Sequence, residues 1–322
     1  MRALFKGHAT RPSTRAPITN PSPKRPYLYR AIRRMQSVCS RQEGNGEEDL
    51  RRILRRNPNS FALNEFETQQ LESLSGRGYA FAPGFFSKGL VDHIRAKADA
   101  IFRKMPASTD HTLELEGPLV EISEVLDIAF HESVLKVVAH FFRRVPPLYR
   151  VAIVRYLPSD CAPDSSRFRQ EAHDSDSLEI LIDLAAVDRT RGPLVYVPES
   201  HLHVSCRPRL LNAFGFPLAP RQLEDHEVER LYPRETWITL FGEQGSMTAI
   251  HRRGLSKGPV WAFPGDTSNK PRTAIRIDIT SHRPGIRCEW KGNAMRKWNF
   301  DRMSKFQQVF THAVFVEQQA LA

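Results

Sequence analysis

The amino-acid sequence predicts a mainly β fold with flanking helices, closed as a sandwich or barrel of the jelly-roll type. Three observations lead there. From Leu148 onward apolar residues recur with a period of two, the spacing that places every second side chain on one face of a strand. The runs are short and end at Gly and Pro corners, as strands of sandwiches and barrels do. Helical spacing is concentrated ahead of this region and returns once behind it.

Residues 1–42 form a basic tail with ten Lys or Arg and no Asp or Glu, rich in Ser, Thr and Pro. That composition fits a transit peptide and fits a disordered arm equally. A transit peptide implies a mitochondrial or plastid location, a plain arm a cytoplasmic one. Residues 43–76 read as a charged helical linker, with helical pieces at 48–56 and 64–74. Residues 77–282 hold the β domain and its N-terminal helices. Residues 283–322 make a C-terminal helical extension, its helix spanning 299–318 with Phe306, Phe310 and Val314 on one side.

Inside the β domain, residues 79–86 read as a strand and turn, and Ser87 is placed to cap a helix. Leu90, Val91, Ile94, Ala98, Ile101 and Phe102 follow at helical spacing. A second helix spans 133–143 and carries Val134, Leu135, Val138, Phe141 and Phe142. Strands are predicted at 149–157, 178–185, 194–197, 237–241, 246–250, 260–263 and 272–279. In the last, Thr273, Ile275, Ile277 and Ile279 alternate with Arg272, Ala274, Arg276 and Asp278. The β-branched side reads as the core face. On that reading Arg272 and Arg276 point outward, and only Arg272, at the strand start, can bend toward the barrel mouth.

The formal charge of +11 is a property of the tail: without residues 1–42 the chain keeps 37 basic against 36 acidic residues. A near-neutral folded part gives no ground for a nucleic-acid-binding surface. No apolar run is long enough to span a membrane. Cys39, Cys161, Cys206 and Cys288 lie far apart without Cys-x-x-Cys spacing, which speaks against a zinc site and against a disulfide framework. There is no Gly-rich loop leading into a helix and no Gly-x-Ser-x-Gly elbow, so phosphate cradling and serine hydrolysis lack their motifs.

One phrase is more specific. Gly192-Pro193 is followed by Val197-Pro198-Glu199-Ser200-His201, then by Gly245, Gly254, Gly258 and a late Arg272. In this order, between these strands, the phrase resembles the phytanoyl-CoA dioxygenase family, over roughly residues 78–279. That resemblance implies a double-stranded β-helix (jelly roll) holding Fe(II) and 2-oxoglutarate, and hydroxylation of a small or carrier-linked molecule. It also implies where the metal ligands belong: a His-x-Asp pair after an aromatic residue, and a distal His in a Gly-x-His-x-Gly phrase. Two imidazoles and a carboxylate then leave open positions for 2-oxoglutarate and oxygen.

In the register set by Phe168, the pair falls on Arg169-Gln170-Glu171, and the distal position in Gly254-Leu255-Ser256-Lys257-Gly258 is Ser256. Arg169 is permanently protonated and has no lone pair to give. A shifted register offers His173, Asp176 (or Asp174) and His251 instead, although moving a ligand along a strand changes its face. His251 reads alternatively as a surface residue beside Arg252 and Arg253. The resemblance assigns the 2-oxoglutarate carboxylate to Arg272, with Arg276 second, because a guanidinium matches a carboxylate with two prongs. Two functions follow: a dioxygenase with Fe(II) and 2-oxoglutarate, or a pseudoenzyme without cofactors that keeps the jelly roll as a binding or scaffolding module. Either has a small molecule as its partner.

Overall fold

A computed structural model describes residues 62–105, 111–116, 122–144, 146, 148–158, 167–170, 177–204, 221–261, 267–280 and 307. The basic tail, the helical piece at 48–56, all four cysteines and the C-terminal helix apart from Gln307 lie outside the described residues. Gln307 is helical and donates its side-chain amide to the Phe130 carbonyl at 2.8 Å.

The first element among the described residues is α1 (Glu65–Arg77), opened by a capping box. The Asn64 side chain accepts from the Glu67 N–H at 2.8 Å, and the Glu67 carboxylate accepts from the Asn64 N–H at 2.9 Å. Then come β1 (Tyr79–Ala82), α2 (Lys88–Phe102), β2 (Thr112–Glu116), α3 (Glu124–Ala129) and α4 (Glu132–Phe142). Ser87 stands at the N-cap of α2 as its sequence position predicts, but its side chain makes no capping bond.

The strands that follow are β3 (Leu148–Tyr156), β4 (Phe168–Gln170), β5 (Ser177–Asp183), β6 (Leu194–Tyr196), β7 (Arg221–Leu223), β8 (Ile238–Leu240), β9 (Met247–His251), β10 (Ser256–Lys257) and β11 (Arg272–Thr280). Among the described residues two short α-helices intervene, α5 (Ser200–Val204) and α6 (Asp225–Glu229).

The strands form two antiparallel sheets, the jelly roll that the period-two pattern predicts. The larger runs β1-β9-β5-β11-β3-β2 and the smaller β7-β4-β10-β6-β8. Nearly every neighbour is distant in sequence, which is how strands this short close a sandwich instead of forming hairpins.

The expected strand at 260–263 is not found at Val260 and Trp261. Pro259 has no N–H to offer a ladder, and Val260 makes a single backbone bond to the Pro193 carbonyl at 3.0 Å. The pairing in this region falls earlier, on β10, where Ser256 sits opposite Arg169 of β4 and Tyr196 of β6.

The outer face of the large sheet carries the main core. Leu178, Ile180 and Ile182 of β5 and Ile275, Ile277 and Ile279 of β11 pack against Val91, Ile94 and Ala98 of α2 and Val134, Leu135 and Val138 of α4. The opposite face looks across the sandwich, where Ala152, Val154, Leu181, Ala274 and Ile250 meet Leu194, Tyr196 and Leu240. Both faces of β11 are therefore covered. This corrects the outward placement of Arg272 and Arg276: their face is the barrel interior, and the β-branched face is buried under helices.

The Gly-Pro and Ser-His phrase is a structural knot. Tyr196 is fully buried, and a Cβ at Gly78 or at Gly254 would overlap its hydroxyl. The Ser200 hydroxyl donates to the Val197 carbonyl at 2.6 Å and accepts from the Leu255 N–H at 2.8 Å. That pair of bonds ties β6 to the turn before β10.

Candidate functional site

Between the two sheets lies a cavity of about 250 Å³. The large sheet supplies Thr112, Tyr156, Glu179, Ile250, Arg252 and Arg276 to its lining; the small sheet side supplies Arg169, Leu194, Ser256, Gly258 and Pro259. Pairing explains the convergence. Arg169 and Ser256 are partners across β4 and β10, so their side chains share a face. Arg276 is opposite Ala152 of β3 and Leu181 of β5, both interior residues.

Charge in and around this cavity is organised. Arg276 approaches Glu114 at 2.8 Å and Asp278 at 3.3 Å. Arg252 approaches Asp278 at 3.2 Å and Glu179 at 3.9 Å, and Arg150 approaches Glu114 at 3.1 Å. Burial works against the Arg276 charge, yet the carboxylates of Asp278, Glu179 and Glu114 hold its pKa above the usual guanidinium value. Burial, aided by the Glu179 carboxylate, pushes the Tyr156 phenol up to about 12, so it stays protonated and able to donate. Lys257 also contributes to the lining, but its ammonium meets Asp225 at 2.5 Å and lies 4.8 Å from the Phe168 ring centre, in the cluster with Trp237.

Of the residues singled out in the sequence, Arg169, Ser256 and Arg276 are brought to one cavity. Arg272 is not among its lining. It is 3 % exposed, with its Nε and one terminal nitrogen each 2.9 Å from Asp183 and a further bond to the Gly192 carbonyl at 3.2 Å. Its guanidinium is thus engaged in holding the Gly192-Pro193 corner to β5, and Arg276, the second choice, is the arginine that reaches the cavity.

His251 is not a surface residue. It is 5 % exposed, opposite Leu178 on the helix-covered face of the large sheet, with the rings of Phe141 and His201 at 5.6 and 5.1 Å. Its strand neighbour Ile250 lines the cavity, so alternation turns His251 away from it. Glu171, His173, Asp174 and Asp176 lie outside the described residues, as do residues 207–220.

The sequence reading missed Glu114, Arg150, Tyr156, Glu179, Arg252 and Asp278. A usable signal existed: the charges of β5 and β11 fall on the side opposite their β-branched residues, which in a strand covered on both faces means a charged interior. Among the described residues, no group of three His, Cys, Asp or Glu is arranged to hold a metal ion. Of the described residues, Arg169 and Ser256 put a guanidinium and a hydroxyl where the resemblance expects imidazoles, and neither is a ligand that fits Fe(II).

No protein-family profile matches the chain, and no curated protein matches it. Solved structures do. EvdO2 from Micromonospora carbonacea var. aurantiaca complexed with 2-oxoglutarate aligns at a TM-score of 0.50 and 14% identity, over 69% of this chain and 93% of that one. The non-heme alpha ketoglutarate dependent carbocyclase SnoK from nogalamycin biosynthesis aligns at 0.48 and 18%, over 76% and 95%. HygX from Streptomyces hygroscopicus with nickel and 2-oxoglutarate bound aligns at 0.49 and 14%, over 68% and 88%. At these identities the likeness shows the fold alone, and EvdO2, at a TM-score of 0.50, carries it: this chain shares that protein's jelly-roll fold. No helix among the described residues is long and apolar enough to cross a membrane.

Proposed function

We propose that this chain is a phytanoyl-CoA dioxygenase-like jelly roll that has given up its iron site and acts as a binding module for a small molecule. The observation that carries this reading is the pairing of Arg169 with Ser256 on the cavity wall, at two of the three positions where the resemblance expects iron ligands. A guanidinium beside a metal position repels the ion and donates no electron pair. Fold alone does not confer oxygenase chemistry; the site must.

The second reading is an Fe(II)/2-oxoglutarate hydroxylase. Arg276 favours it, because a cavity-facing guanidinium on a late strand suits a 2-oxoglutarate carboxylate. It requires ligands from His173 and Asp176 or Asp174, and its third member, His251, faces the helices.

The two separate in one experiment. The full chain is mixed anaerobically with Fe(II) and 2-oxoglutarate, desalted, and assayed for bound iron and for a metal-to-ligand charge-transfer band; it is then given fresh 2-oxoglutarate and oxygen and assayed for succinate. The binding-module reading expects none of the three. Stoichiometric iron that is lost in His173→Ala would establish the hydroxylase instead.

A further inference from the structure

We infer that the cavity between the sheets is a receptor for a small organic monoanion whose carboxylate is held by Arg169. The inference rests on the binding-module reading and specifies the ligand class. It starts from charge. Arg150, Arg252 and Arg276 form a network with Glu114, Glu179 and Asp278, three cations against three carboxylates, all from the interior face of the large sheet. These groups are half-buried or buried, and their mutual pairing leaves that wall close to neutral. Arg169 stands apart on the facing wall. Among the described residues its guanidinium has no ion-pair partner, and the residue is exposed at the cavity edge. Lys257, which also lines the cavity, is paired with Asp225, so among the described residues the cavity carries one positive charge without an ion-pair partner.

That arithmetic selects the ligand. A single carboxylate can take both prongs of the Arg169 guanidinium and restore neutrality. A second negative charge would have to sit against the balanced wall, facing Glu179, where the arginines already have partners. The rest of the lining suits a neutral polar body: the protonated phenol of Tyr156 and the hydroxyls of Ser256 and Thr112 hydrogen-bond without charge, and Leu194, Ile250 and Pro259 give an apolar flank. At about 250 Å³ the cavity falls just below the range of roughly 300–1,000 Å³ typical of drug-sized sites, which points to a small metabolite.

The test uses the full chain, stripped with chelator, at constant low ionic strength. Pyruvate and benzoate serve as monocarboxylate probes of two sizes, and succinate and 2-oxoglutarate as dianions. Binding is read by calorimetry and by the shift in melting temperature. We expect saturable binding of at least one monocarboxylate, at least tenfold tighter than either dianion. Arg169→Gln should weaken it at least tenfold, and Arg169→Lys should recover part of the loss. Because Arg169 is exposed, the unliganded melting temperature of Arg169→Gln should match that of the wild type, so the loss reports on the site and not on folding. The inference is overturned if neither monocarboxylate saturates, if a dianion binds as tightly, or if Arg169→Gln binds normally. Iron content after Fe(II) loading is measured in parallel. Stoichiometric iron sinks the binding-module reading and this inference with it, whereas an iron-free protein that ignores carboxylates sinks this inference alone.

Discussion

The phenol of Tyr196 lies under two glycines, and its surroundings leave no space at either. A Cβ at Gly254 would overlap the hydroxyl, which is held by the His251 carbonyl at 3.4 Å and by the Ser200 side chain. Gly254→Ala should therefore destabilise by about 1–3 kcal/mol through overpacking, read as a lower denaturation midpoint with unchanged slope. An unshifted midpoint would mean that β6 and the turn before β10 are not locked as described.

His131 makes a second residue-scale prediction. Its ring packs against Phe85 and Phe86 at 5.0 and 5.3 Å, and burial lowers its pKa from the usual 6.5, with Glu132 and Glu67 opposing. The unfolded chain then takes up the proton first. This contribution to stability is complete above 6.5 and declines as pH falls from there toward the lower folded pKa. His131→Phe should keep the packing and remove that slope. The check is the variant minus wild-type difference in urea midpoint across pH 5–8, which should grow toward acid.

At the scale of elements, legibility in the sequence followed coverage by neighbours. The helices α2 and α4 and the strands β5 and β11 carry strong apolar periodicity because each lays a full face on the main core, and all four were predicted within a residue or two. The strands β4, β7 and β10 have three residues or fewer and owe their existence to cross-strand bonds, which no local pattern announces. The candidate site divided likewise. Arg169 and Ser256 could be found by counting from Gly192-Pro193, whereas of the acids paired with Arg276 only Asp278 is on its own strand, and Glu114 comes from β2 and required the sheet order.

Two element-scale predictions follow from named contacts. Asn64→Ala removes one half of the α1 capping box and should cost about 1 kcal/mol, seen as a reduced melting temperature. Arg272→Met leaves Asp183 buried without its partner and should cost about 3–5 kcal/mol, while Asp183→Leu combined with Arg272→Met should recover most of it. A double variant no more stable than the single one would show that the pair does more than satisfy its own charges.

Across the whole molecule, charge is divided by region and not by face. The tail of residues 1–42 brings ten positive charges and no negative one, while the remainder nets +1. In that remainder opposite charges are interleaved on the interior of the large sheet, so its electrostatics act over the width of a cavity and not over the surface. By net charge, long-range attraction to polyanions is expected of the tail, and it is screened by salt. The full chain should bind a cation exchanger or heparin resin near neutral pH and elute at elevated salt. A chain starting at residue 43 should pass through at low salt, while keeping the carboxylate response expected of Arg169. Retention of the shortened chain on heparin would place a basic surface on the folded part and would contradict the balance of charges described there.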